Sequence, residues 1–260
     1  MSRLFLAIPL FLVAVSIASA AVKTKTISYE HDGVTLKGYL AWDDAAEGKR
    51  PGVLVVHEWW GLNDYARKRA EMLADLGYVA FACDMYGDGK STEHPKEAGE
   101  MASAVRKNVK EWQARAQAGL KVLTSQEQVD SKKLAAIGYC FGGSTALQLA
   151  YSGADLSAVA TFHAALPTPS EEQAKAIKAR ILVCHGADDK FIQPKSIEQF
   201  KAGLDGAKVK YQFESYPGAV HSFTVAEADK KNHQGMKYNA EADKKSWQQM
   251  KDLFKDAFGK

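Results

Sequence analysis

The sequence predicts an α/β fold: a doubly wound, mostly parallel sheet, opened by an N-terminal antiparallel hairpin and covered by helices in a three-layer α/β/α arrangement. Three observations predict it. Short apolar runs alternate with helical spacing from residue 52 to the end, the signature of βαβ units. Those internal runs are continuous, as strands buried on both faces must be. The opening segment instead alternates about the turn His31-Asp32-Gly33, as a hairpin with one solvated face does.

Thr26-Ile27-Ser28-Tyr29 and Val34-Thr35-Leu36-Lys37-Gly38-Tyr39-Leu40 form the two arms of that hairpin. Gly52-Val53-Leu54-Val55-Val56 is the first buried strand. From Asp64 to Gly77 the residues Ala66, Ala70, Leu73 and Leu76 share one helical side, and Gly77 supplies the stop. Tyr78 to Cys83 is a strand, and residues 95–124 hold one helix or two. Leu134 to Tyr139 is a strand and Ser144 to Tyr151 a helix; Ala158 to Phe162 and Arg180 to Cys184 are further strands. Residues 195–204 read as helical, Val209 to Tyr216 as a strand, and residues 240–258 as a closing amphipathic helix. No linker rich in Pro, Gly or Ser interrupts this series, so residues 21–260 make one domain. The hexapeptide Ala-Glu-Ala-Asp-Lys-Lys occurs at 226–231 and 240–245, too short and too few to stack as a repeat; both copies read as solvated helix faces.

Residues 1–20 carry one charge, Arg3, then the apolar run Leu4 to Val15, then Ala18-Ser19-Ala20. That is the pattern of a secretory signal peptide, because the run falls short of the ~20 apolar residues that span a bilayer. The expectation is an exported protein, periplasmic or secreted, with no membrane partner after cleavage, and monomeric. Arg3 being the only charge removed, Lys+Arg falls from 34 to 33 against Asp+Glu 31, a net charge of +2. No basic stripe results, which argues against nucleic acid as a partner. Three cysteines are too few for a disulfide framework, and at least one stays unpaired. Cys83 and Cys184 lie inside apolar runs, where cysteine is a small hydrophobe; Cys140 does not.

Cys140 occupies Gly138-Tyr139-Cys140-Phe141-Gly142-Gly143, a G-x-C-x-G form of the nucleophile elbow between a buried strand and a helix. Glycines are needed there because the turn is too sharp for flanking side chains. The turn lifts the sulfur out of the sheet and sets it at the positive end of a helix, where a thiolate is stabilised. The Phe141 N–H then points at a developing oxyanion. An elbow nucleophile requires an acid and then a histidine later in the chain. Gly186-Ala-Asp-Asp189 ends a buried strand, and the spacing from Gly186 favours Asp189 as the acid over Asp188, which reads as a turn or capping residue. Tyr216-Pro-Gly-Ala-Val-His221 follows the last strand and swings His221 back over the elbow. His57, His163 and His185 also sit at strand ends; His31, His94 and His233 read as surface residues. His57-Glu58 with His163 lacks the spacing of a metal motif, so neither metal nor other cofactor is expected.

Further segments carry a family likeness: His57-Glu58-Trp59-Trp60-Gly61, Asp84-Met85-Tyr86-Gly87, Pro217-Gly-Ala-Val-His221-Ser-Phe223, and Tyr238 with Trp247 at the final helix. With the elbow and Gly186-x-x-Asp189, they make the chain resemble the dienelactone hydrolase family of α/β-hydrolases from about residue 26 to the end. The resemblance implies an α/β-hydrolase fold, an ester- or lactone-cleaving enzyme with a small-molecule substrate, and a Cys140–Asp189–His221 triad. It also implies that Glu58 interacts with the resting thiol and that the Trp59 N–H completes the oxyanion hole with Phe141. Trp60, Tyr86, His163 and Phe223 are the candidate substrate-pocket residues. In one respect the chain departs from the pattern. Family members that take dienelactone hold its carboxylate with two arginines, one after the D-x-Y segment and one four residues past the histidine. Here those stretches read Asp84-Met-Tyr-Gly-Asp-Gly-Lys90 and His221-Ser-Phe-Thr-Val225. Lys90 lacks the bidentate fork of an arginine, so dienelactone itself is not the expected substrate. A secreted binding protein without turnover, or a thiol redox protein, would keep the same cysteine.

Overall fold

The opening hairpin is β1 (Val22–His31) and β2 (Val34–Asp43), paired antiparallel so that His31 faces Val34 across the turn. It appears in a computed structural model that describes residues 22–231 and 233–259. The signal-peptide expectation for residues 1–20 lies outside the described residues. Six further strands follow: β3 (Arg50–Val56), β4 (Val79–Cys83), β5 (Val129–Tyr139), β6 (Ala158–Phe162), β7 (Arg180–Gly186) and β8 (Tyr211–Tyr216). They join the hairpin in one sheet of order β1-β2-β4-β3-β5-β6-β7-β8, parallel from β4 to β8 and antiparallel at the hairpin edge.

Side chains alternate across each internal strand, and this assigns the covering helices. Leu54 and Val56 of β3 face the core built by α2 (Pro95–Arg106), α3 (Val109–Thr124), α4 (Phe141–Tyr151) and α6 (Pro194–Gly206). Val53 and Val55 face the opposite core, closed by α1 (Asp64–Asp75) and α7 (Ala240–Phe258) through Leu73 and Phe254. A short α5 (Glu171–Ala176), which has too few apolar positions to show in the sequence, packs beside α4 and α6 and starts in a Ser170–Gln173 capping box. Within residues 95–124 there are two helices, because the Asn108 side chain accepts the Lys110 and Glu111 N–H groups and starts α3 afresh. At the end of α1, Leu76 caps the helix and is 39% exposed, so it does not belong to the buried side. The first of the two identical hexapeptides includes the 3-10 turn Ala228–Lys231, whereas the second opens α7, where Asn239 caps the Ala242 N–H.

At the C-terminal end of β4 the fully buried Asp84 carboxylate gathers four backbone donors. Oδ1 accepts the N–H groups of Tyr86 and Gly87 at 2.8 and 2.9 Å; Oδ2 accepts those of Lys37 and Gly89 at 3.0 and 2.7 Å. The loop that carries Tyr86 is thereby pinned to β2. Asp84→Ala strands these donors and should cost about 2–4 kcal/mol in urea unfolding. Asp84→Asn keeps one acceptor oxygen, and its loss should be clearly smaller.

Candidate active site

Between the last residue of β5, Tyr139, and the first of α4, Phe141, the backbone turns at Cys140 with φ 51° and ψ −115°. A non-glycine residue in that region is strained and persists only when its surroundings hold it. Two close approaches do so. A Cβ on Gly138 would lie 2.0 Å from the Gly142 oxygen, and one on Gly142 would lie 2.2 Å from the Val56 oxygen, so only glycine admits the passage of α4 against β3 and β5. The Cys140 N–H is tied to the Phe162 carbonyl at 3.0 Å. The sulfur side chain is partly exposed, whereas Cys83 and Cys184 are buried. Burial pushes the Cys83 thiol up and the Cys184 thiol up to about 12, which makes both poor nucleophiles.

His221 and Asp189 meet over this elbow. His221 Nδ1 lies 2.8 Å from Asp189 Oδ2, and the other carboxylate oxygen accepts the Phe191 N–H at 2.9 Å. Asp188, by contrast, is exposed, and its N–H serves the turn by bonding the Ala219 carbonyl. With Nδ1 taken, the hydrogen bond between His221 and Cys140 falls to Nε2. Burial alone would lower the His221 pKa. The charge on Cys140, together with its hydrogen bond and that of Asp189, outweighs burial and holds the imidazole up at about 10. The imidazole is therefore held in its protonated form at neutral pH. A folded-state value above the ordinary 6.5 means that His221 protonation stabilises the fold fully below pH 6.5, and that this contribution is lost as pH rises toward 10.

Glu58 lies buried at the end of the β3 loop, with Oε1 accepting the Ser222 hydroxyl at 3.4 Å and facing His163 Nδ1 at 3.9 Å. His57 is a structural strut: Nδ1 donates to the Glu58 carbonyl at 2.6 Å and Nε2 accepts the Met85 N–H at 3.2 Å. Burial lowers its pKa, consistent with this neutral form. The Trp59 carbonyl is anchored by the Tyr86 hydroxyl at 2.9 Å, which fixes the peptide next to the Trp59 N–H. Phe141 heads α4, so its N–H has no acceptor within the helix.

A cavity of about 740 Å³ opens beside this cluster, with Glu58, Ser222, Trp60, Tyr65, Val225 and Met236 in its wall. Cys140 is not in that wall; the cavity touches the cluster at Glu58 and Ser222. Of the four candidate pocket residues, Trp60 lines this cavity and stacks on His233, while Tyr86 lines a smaller cleft with Lys90 and Arg115. His163 and Phe223 are fully buried and in ring contact with each other, His163 also with His221, and line neither of these two spaces. His185 is buried against Phe213. Sequence reasoning passed over Arg69, Tyr65 and Thr224, which form a buried polar chain leading to His163. Arg69 Nη2 donates to the Thr224 carbonyl at 2.8 Å and to Asp243 at 2.6 Å. Its only trace in the sequence is a charged residue one position from Ala70 on the apolar side of α1.

Comparison with known proteins places this geometry. The model of the dienelactone hydrolase family matches residues 36–258. Protein usf of Aquifex pyrophilus is 29% identical over 203 residues, which are 76% of this chain and 85% of that protein. The solved structure named m3DLH is 41% identical with a TM-score of 0.89, covering 91% of this chain and 99% of that one. A dienelactone hydrolase-like promiscuous phosphotriesterase from metagenomic libraries is 38% identical, also at TM-score 0.89, covering 92% and 99%.

Two measurements check the site. In NMR of histidine-labelled protein, His221 should titrate near pH 10, and Cys140→Ser, which removes the sulfur's charge, should lower that midpoint by about one pH unit or more. An unmoved midpoint would leave Asp189 as the sole cause. Gly142→Ala should destabilise the protein by several kcal/mol, on the order of 3 or more, since its Cβ meets backbone rather than a side chain that can move.

Proposed function

Because the chain belongs to the dienelactone hydrolase family and is a carboxylic ester or lactone hydrolase, we propose that Cys140 is its nucleophile, working in a triad with His221 and Asp189. The observation that carries this reading is the strained elbow with His221 on its sulfur and Asp189 at 2.8 Å behind the imidazole. The Cys140 sulfur adds to the substrate carbonyl carbon, and the displaced electron pair collects on oxygen beside the Phe141 and Trp59 N–H groups. Collapse breaks the ester bond, and the leaving alkoxide takes its proton from His221. Neutral His221 then draws a proton from water, whose oxygen adds to the thioester carbon. The second collapse returns the thiolate and releases the acid, with His221 again protonated. Glu58 supplies the carboxylate that interacts with the resting thiol.

Dienelactone is not the proposed substrate, because no arginine stands at either position that grips its carboxylate in the family. The aromatic wall at Trp60 and Tyr65 favours an apolar, ring-bearing ester or lactone. A thiol redox role has less support, since Cys83 and Cys184 are locked in the two cores. Assayed on a panel of aryl esters and lactones, Cys140→Ala and His221→Ala should each lose about 10³-fold or more in kcat. Equal rates for wild type and Cys140→Ala would overturn the mechanism.

Export is proposed as well, on the composition of residues 1–20. N-terminal sequencing of protein from the extracytoplasmic fraction should begin near Ala21. Recovery with Met1 or Ser2 first, from the cytosol alone, would overturn it.

A further inference from the structure

A chain of hydrogen bonds runs from α1 to His163, and its direction is fixed at one end. Arg69 can only donate, and its Nε–H reaches the Tyr65 oxygen at 3.2 Å. The Tyr65 oxygen lies 2.6 Å from Thr224 Oγ1, which in turn lies 2.8 Å from His163 Nε2. With Arg69 donating to Tyr65, one order satisfies every proton: Tyr65 donates to Thr224, and Thr224 donates to His163 Nε2. The reverse order leaves the Tyr65 or the Thr224 hydroxyl proton without an acceptor among the described residues. His163 Nε2 is therefore the acceptor, and the ring carries its proton on Nδ1. Burial pushes the His163 pKa well down, which keeps the ring neutral. Nδ1 has no hydrogen-bond partner among the described residues and faces Glu58 Oε1 at 3.9 Å. His163 holds this pose at φ 41°, a strained value for a residue with a side chain.

We propose that His163 is a positioning residue for Glu58: the Arg69–Tyr65–Thr224 chain fixes its tautomer so that Nδ1–H is presented to the Glu58 carboxylate and holds it charged and oriented at the thiol. The proposal rests on the reading of Glu58 as the carboxylate that interacts with Cys140. The other groups facing the pair are His221, with its ring 5.2 Å from His163, Tyr139, Tyr65 and Arg69 with its partner Asp243; Ser222 shares Glu58 Oε1.

The two nitrogens of His163 can be tested separately, since an asparagine amide stands in for Nδ1–H and a glutamine amide for Nε2. In His163→Phe, kcat/KM on an aryl ester should fall about tenfold with KM within twofold. The acid limb of the kcat/KM profile should move to higher pH, because a carboxylate that loses the N–H dipole facing it protonates more readily. His163→Asn should restore the profile and His163→Gln should not, with thermal unfolding run on each. Restoration by glutamine instead of asparagine, or an acid limb unmoved in all three, would overturn the proposal. Glu58→Gln separates the two readings: if it leaves turnover and iodoacetamide alkylation of Cys140 unchanged, the Glu58 reading fails and takes this one with it. If Glu58→Gln impairs both while His163→Phe leaves the profile in place, only the positioning role fails.

Discussion

The backbone at Cys140 is bent into a region that a cysteine does not adopt by itself, and the cost is met by how closely α4 lies against β3 and β5. That single turn sets the depth of the sulfur, the direction of the Phe141 N–H, and the point toward which His221 must be delivered. The parallel sheet makes the delivery possible. Strands β3, β4, β5, β6 and β7 all end at the same edge, so Glu58, Tyr86, Cys140, His163 and Asp189 converge from five separate segments. Tertiary packing thus supplies the proximity that a short peptide around Cys140 could not.

Around Cys140 and His221 lies a set of polar contacts that fix the surrounding loops. Asp84 gathers the backbone of one loop, His57 bridges that loop to the Glu58 segment, and the Tyr86 hydroxyl returns to the Trp59 carbonyl. Each of these groups is buried or nearly so, and each is satisfied, which is the condition under which buried polar atoms rigidify a site instead of weakening it. On the far side, Arg69 does the same for the His221 segment through the Thr224 carbonyl and α7. The His221 imidazole is thereby held protonated in a place where burial alone would strip its proton.

Much of this was legible in the sequence. Continuous apolar runs give β3, β4 and β6 nearly to the residue, because a strand buried on both faces admits almost nothing else. The elbow is legible because the sharp turn demands glycine at fixed spacing, and Asp189 and His221 because each follows a strand, the acid before the histidine. The boundary at Asn108, the short α5 and the exposure of Leu76 were not, since each depends on a local cap or on where a helix happens to end.

By itself the sequence marked out the strands of the sheet, the glycine-flanked turn at Cys140 and the candidate partners Asp189 and His221, for each of these is a short local pattern. Only the tertiary structure decided what stands behind them. His163 and Phe223, plausible as pocket walls at a strand end, are fully buried supports. Arg69, unremarkable on α1, directs hydrogen bonds to residues 155 and 174 positions away. The direction of a hydrogen-bond chain is a property of which atoms meet, and no local pattern records a meeting between segments so distant.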